Sequence, residues 1–253
     1  MRNRLIGSIV ALVAVLTWTG ITFCEDASET KQSPAKAQPA SARDIYGTWM
    51  GLRIGATTEG PPPFQPWAEQ KFKELASKGE QRNLYDPRRS CFPLGMPRNL
   101  FEPVPIELVQ APDRVLILFE NDHIMSQIYM NLTEHPKDLS PTWMGHSIGK
   151  WDGDTLVVDT VELRKETWLD GAGLPHSEDL HLVQRIHRVD ADTLEDLVTI
   201  DDPKAYTKSW TMDKIYKLKP GWHIIEYVCE DEWSDKLDDY YNLRLPAGVE
   251  PPK

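Results

Sequence analysis

Trp143-Met-Gly-His-Ser-Ile-Gly-Lys-Trp-Asp-Gly-Asp-Thr-Leu-Val-Val-Asp159 is the stretch whose reading decides the fold. Side chains alternate in character on both sides of Asp152-Gly153. An Asp-Gly pair between two alternating runs is the strongest short-range signal for a β-hairpin. Strands are therefore expected over 142–151 and 155–163. The same stretch carries Trp143, His146, Ser147 and Trp151.

Working outward, the pattern repeats. Strand-like runs lie at 106–110, 115–120, 124–130, 180–189, 194–200, 206–218 and 223–229. Turn residues separate them: Pro112-Asp113, Asn121-Asp122, Asp190-Ala-Asp192 and Pro220-Gly221. Upstream, 44–54 also has strand character. One helix is expected between Pro66 and Gly79. Ala68, Phe72, Leu75 and Ala76 fall on one helical face, Pro66 suits the first helical position, and Gly79 suits the stop. The segment 86–105 is rich in proline and reads as an ordered loop. About ten strands with one short helix and no βαβ alternation predict a mainly β fold. An antiparallel, lipocalin-like β-barrel of about eight to ten strands follows, because closure removes exposed sheet edges.

The chain has 253 residues, 40% hydrophobic and 26% charged, with a formal net charge of -11. That balance disfavours phosphate backbones, so no nucleic-acid partner is expected. Residues 1–24 read as a signal peptide, with Arg2 and Arg4 ahead of an apolar run. An uncleaved anchor over 5–23 is the alternative, since its length approaches a bilayer span, and Cys24 faintly suggests a lipid-anchor box. Residues 25–43 form a flexible linker of Ala, Ser, Pro, Glu and Lys. The barrel domain is placed at 44–246 and a tail at 247–253. The expected location is periplasmic or secreted, with attachment through 5–23 as the alternative. Membrane contact is expected only through that segment or a lipid anchor; the sequence leaves the oligomeric state open. With Cys24 in the signal, Cys91 and Cys229 remain, either as a disulfide or as two separate thiols.

Candidate chemistry concentrates in 166–178. Trp168, Asp170, His176, Ser177 and Glu178 crowd a long connection of the kind that carries function at a barrel mouth. His176 is the candidate general acid or base, Asp170 or Glu178 its orienter, and Arg185 an anion or oxyanion stabiliser. His181, Arg185 and His187 share one strand face, which is either solvent surface or a polar cavity lining. Glu120 ends an apolar strand at a rim or a buried pair. His146, flanked by Trp143 and Trp151, reads as a packed group or as a ligand contact. No Gly-rich phosphate loop, G-x-S-x-G elbow or metal-binding spacing is present, so neither cofactor nor metal is expected.

Several blocks taken together resemble a broad, uncharacterised family of exported bacterial proteins: Cys91-Phe-Pro-Leu-Gly-Met-Pro-Arg98, the 143–158 hairpin, Trp168-Leu-Asp170 with Pro175-His-Ser-Glu178, 199–208 and Glu226-Tyr-Val-Cys229. The resemblance covers 44–233 and implies export and a bacterial source. It carries no catalytic role to any residue. Where that family continues Asn-Glu-Asn, this chain has Glu230-Asp-Glu232. Separately, Gly47-Thr-Trp49 resembles the Gly-x-Trp opening of lipocalin-like (calycin-type) barrels, which implies a tryptophan plugging one barrel end.

Three functions follow from these signals. The leading one is a barrel binding a small, partly apolar ligand, with Trp49, Trp143, Trp151 and Trp168 as wall or lid and His146, Glu120, His181 and Arg185 as polar contacts. The second is a cofactor-independent hydrolase, lyase or isomerase using the His176 site. The third is an envelope interaction protein.

Overall fold

The computed structural model describes residues 41–52, 56–57 and 60–229. The expected signal, most of the linker, the tail and Glu230-Asp-Glu232 lie outside them. Ten strands are present: β1 (Gly47–Gly51), β2 (Ala56–Thr57), β3 (Pro105–Gln110), β4 (Arg114–Phe119), β5 (Met125–Tyr129), β6 (His146–Asp152), β7 (Thr155–Val161), β8 (His181–Arg188), β9 (Thr193–Asp201) and β10 (Trp210–Leu218). Neighbours run β1-β3-β4-β5-β6-β7-β8-β9-β10, and β1 pairs with β10 as well as β3. The result is a closed nine-strand barrel. The two-residue β2 adds to β10 at one side. The expected mainly β barrel is thus what the chain forms.

Alternation fixes which residues face in. Val115, Ile117 and Phe119 of β4, Leu156 and Val158 of β7, Leu182 and Ile186 of β8, and Leu194, Val198 and Ile200 of β9 are buried and belong to one core. Trp49 is fully buried; its indole N–H donates to the Ile45 carbonyl (2.9 Å), and the Arg188 guanidinium lies 5.4 Å from its ring centroid. The tryptophan is thus part of the core, with a cation on its ring face.

Three features depart from the sequence reading. One pair, β5–β6, is parallel, with Ile128 opposite Ser147 and Tyr129 opposite Ile148. Residues 223–229 form no strand; Tyr227 makes only an isolated bridge to Asn121, and β10 pairs with β9 and β1 rather than with a following strand. The reason is closure: β10 has both edges occupied, so the last run has no edge to join. And the helix α1 (Pro66–Ala76) is accompanied by a second, α2 (Arg98–Phe101), and by 3-10 turns at Gly79–Tyr85 and Pro87–Ser90. Alternating patterns do not reveal these, because each runs for only one or two turns, too short for a helical period to show. The α2 segment is bound to the barrel: Tyr216 Oη donates to the Leu100 carbonyl (2.9 Å) and Lys214 Nζ to that of Phe101 (3.2 Å). Cys91 and Cys229 are bonded, Cα atoms 5.5 Å apart, which ties the segment before α2 to the end of the described chain.

A polar group sits inside the barrel. Asp196 is 2% exposed, accepts a hydrogen bond from Gln184 Nε2 (2.9 Å) on one oxygen and has no partner on the other among the described residues. Burial pushes its carboxyl up to about 7, against the single helpful contact from Gln184. The native state therefore holds a proton that the unfolded chain has released above pH 4. Stability should fall as the pH rises from 4 to 7, by about 4 kcal/mol from this group. Urea unfolding of wild type and Asp196→Asn across that range should show this slope in the wild type and its loss in the variant.

Candidate functional site

The outward positions of β6 to β9 carry the ionisable cluster. His146 opens β6, Asp159 lies on β7 directly opposite Ile148, His181 opens β8 and Asp201 ends β9 opposite His181. All face away from the barrel core, since their neighbours Ser147, Val158, Thr160, Leu182 and Ile200 are the buried ones. The fifth group, His135, comes from the connection between β5 and β6. Parallel strands cannot be joined by a tight turn, so this connection must travel back along the sheet. It does so over the outer face and brings His135 onto Asp159.

The geometry is a chain of contacts. His135 Nε2 is 2.8 Å from Asp159 Oδ1, and His135 Nδ1 is 2.8 Å from His146 Nδ1. His181 Nε2 is 3.1 Å from Asp159 Oδ2, and its Nδ1 is 3.9 Å from Asp201 Oδ2. An ionised carboxylate only accepts, so His135 and His181 each donate Nε2–H to Asp159. Between His135 and His146 one Nδ1 carries the hydrogen and the other supplies the lone pair. Partial burial and the neighbouring His135 push His146 below the usual histidine range, which favours its neutral form. With both rings neutral, His146 Nδ1–H donates to His135, and His146 Nε2 is an open lone pair without a partner among the described residues. Burial acts to raise Asp159, but the hydrogen bonds from His135 and His181 outweigh it and hold the carboxyl below its ordinary value.

The chain folds locally to hold His146 in place. Gly145 before it has φ of +68°, and a Cβ there would sit 2.6 Å from the Val161 carbonyl oxygen, so only glycine fits this entry into β6. Tyr129 stacks on the His146 ring at 5.2 Å and 16°, and Arg114 lies 5.5 Å over the other aromatic. His146 borders a groove of about 300 Å³ with Met125, Tyr129, Thr142, Trp143 and Met144. On the other side of His135, Asp159 borders a larger cleft of about 720 Å³ with Trp151, Ile148, Met130 and Leu132.

The other expected site residues lie elsewhere. His176 is 4% exposed and both ring nitrogens are occupied: Nδ1 by the Ser177 carbonyl (2.9 Å) and Nε2 by Thr167 Oγ1 (2.9 Å). Burial pushes it down toward the neutral form. Neither Asp170 nor Glu178 orients it. Asp170 caps its own loop, accepting from Ala172 N and Leu174 N, and burial raises its carboxyl. Glu178 pairs with Lys204 at the surface (2.9 Å). Arg185 pairs with Asp152 on the outer face (3.1 Å). Glu120 accepts from Ile225 N, holding the strand-less segment 223–229 against the barrel. Trp168 lies under Arg98 and Trp143 under Arg164, 5.5 and 4.3 Å away. Of the expected tryptophans, Trp151 borders the larger cleft, Trp143 the groove beside His146, Trp168 a separate surface cleft with His176, and Trp49 is core. The structure therefore joins His146 and His181 through Asp159 and His135, and leaves His176, Asp170, Glu178, Arg185 and Glu120 out of that group. His135 and Asp159 are what sequence reasoning missed. Asp159 had a signal, a carboxylate at an alternating position within a strand; His135 had none without the parallel pairing.

Comparison with protein-family models and with curated proteins finds no match to this chain. Among the described residues no cluster of three or more His, Cys, Asp or Glu side chains is arranged to hold a metal ion, and no helix is long and apolar enough to cross a membrane.

The loop around His176 is a structural clamp in its bonding. Asp202, 1% exposed, accepts from Ser177 N (2.6 Å), Ser177 Oγ (2.7 Å), Lys204 N and Ala205 N. Asp202→Ala would leave several buried donors unpaired and should cost about 3–5 kcal/mol. Denaturant unfolding of this variant checks the value; a loss under ~1 kcal/mol would mean water replaces the carboxylate.

Proposed function

We propose that the protein is a cofactor-independent acid–base enzyme, a hydrolase, lyase or isomerase, built on Asp159, His135 and His146. The observation that carries this is the open Nε2 of His146 at the end of a hydrogen-bonded chain that terminates in a carboxylate. When His146 Nε2 takes a proton from a bound substrate or water, its Nδ1 proton moves toward His135 Nδ1. Positive charge then spreads over two rings beside Asp159, which stabilises it. His181 holds the second oxygen of Asp159 and fixes its orientation. The protonated His146 returns the proton to the leaving group or product. Among the described residues no hydroxyl or thiol is hydrogen-bonded to His146, which favours direct proton abstraction or water activation over a covalent intermediate.

The pH behaviour follows from the direction of the His146 shift. The base form is populated above a value below 6.5, so kcat/KM should rise with pH through that value and then level off. With a panel of activated esters and carbon acids, His146→Ala should lower turnover about 10²–10⁴-fold and Asp159→Asn should also depress it, both with thermal midpoints near wild type because the cluster is half-exposed. Turnover untouched by either substitution would remove the relay from the mechanism.

A second reading is favoured by the cleft beside Asp159. Its volume of about 720 Å³ lies in the range of small-molecule sites, which supports a calycin-type ligand binder. Export is likewise part of the proposal. The Cys91–Cys229 bridge spans 138 residues of sequence and suits an oxidising compartment such as the periplasm or the exterior. Reduction should lower unfolding stability by about 4–5 kcal/mol on the chain-entropy account. Unfolding with and without dithiothreitol, on protein recovered from the periplasmic fraction, tests the bridge and the location together.

A further inference from the structure

The cleft beside the relay shows what kind of ligand it suits. Its walls are mostly apolar: Pro112, Met130, Leu132, Ile148, Val157 and the ring of Trp151. Its polar groups are mostly spent. Gln110 gives its carbonyl oxygen to Ile45 N and its amide to the Arg43 carbonyl. Both oxygens of Asp159 are held by His135 and His181. The exceptions are the Thr133 hydroxyl and Lys150. The Lys150 ammonium makes no ion pair or hydrogen bond among the described residues, although the chain as a whole carries a net charge of -11. An uncompensated cation at the edge of an apolar cleft, on an acidic protein, is complementary to a ligand with an apolar body and one anionic head.

We infer that this cleft binds a small amphipathic carboxylate, its head on Lys150 and its body along Ile148, Val157 and Trp151 toward Asp159. The inference rests on the ligand-binding reading of the cleft and is independent of proton transfer at His146. Lys150, Ile148 and His146 occupy successive outward positions of β6, so a bound molecule lies along the same strand as the relay, with His135 standing between cleft and groove. Thr133, whose hydroxyl has no partner among the described residues, borders the same cleft and can donate to the head.

The test uses decanoate and decanol as probes, with calorimetry for affinity and tryptophan fluorescence for location. Decanoate should bind about 3–10-fold more tightly than decanol at low salt, and the gap should close at high salt. Lys150→Gln should remove the preference while leaving decanol binding unchanged, and Lys150→Glu should reverse it. Trp151→Phe should abolish most of the fluorescence response. Equal affinity for the two probes, or a preference that survives Lys150→Gln, overturns the carboxylate assignment while leaving the cleft as a ligand site. Saturable binding with an unchanged response in Trp151→Phe places the ligand elsewhere and overturns it. Absence of binding by either probe overturns both the assignment and the ligand-binding reading. Binding is read here without turnover, so a failure of the acid–base reading leaves these outcomes readable.

Discussion

The parallel pairing of β5 with β6 is the constraint on which the site depends. Every other neighbour in the barrel is antiparallel and most are joined by short turns. Two parallel strands leave the chain at the wrong end of the sheet, and the connection from Met130 to Gly145 must bring it back. That return crosses the outer face and delivers His135 to Asp159 and His146. It also leaves β5 and β6 in register over only two residue pairs, and the shallow opening beside them is bordered by Met130, Leu132 and Gly149. The relay and the cleft thus share one topological cause.

The barrel behind this face is a support. Its inward positions carry one apolar core, which includes Trp49 under Arg188, together with buried polar groups such as Gln184 and Asp196, and α2 is bound to it by Tyr216 and Lys214. Lys214 is almost fully buried, its ammonium donating to the Phe101 and Glu102 carbonyls and lying 5.7 Å over the Tyr216 ring, and burial lowers it to about 8. Asp196, opposite it in register on β9, is pushed the other way. These interior charges cost stability, whereas the outer cluster is half-exposed and each of its donors meets an acceptor. The proposed relay lies on the outer face of the barrel, whereas a lipocalin-like expectation places the site in a central cavity. Rigid strands still serve it, because alternation along β6 to β9 sets His146, Asp159, His181 and Asp201 on one surface.

Sequence reading reached the strands well and the site in part. The Asp152-Gly153 hairpin and the helix from Pro66 depend on local signals: a turn pair and a 3.6-residue period. His146 was visible as a packed group or ligand contact and His181 on a polar strand face, but neither with a partner, since Asp159 and His135 stand 13 and 11 residues from His146 in the chain. His176 drew attention because carboxylates crowd it in sequence. In space those carboxylates point to Ala172, Leu174 and Lys204, and the imidazole spends both nitrogens on Thr167 and Ser177. Proximity along the chain is a poor measure of hydrogen bonding in a loop whose backbone donors compete for the same oxygens.

By itself the sequence determined that the chain forms a barrel of short strands, where its hairpin turns lie, and which faces of those strands are apolar, because period-2 alternation and turn chemistry act over a few residues. Only the tertiary structure decided that β5 and β6 run parallel, that the last run finds no sheet edge, and that His135, Asp159, His146 and His181 meet. Those outcomes depend on which strand edges remain free when the sheet closes, a property of the whole barrel that no local pattern encodes.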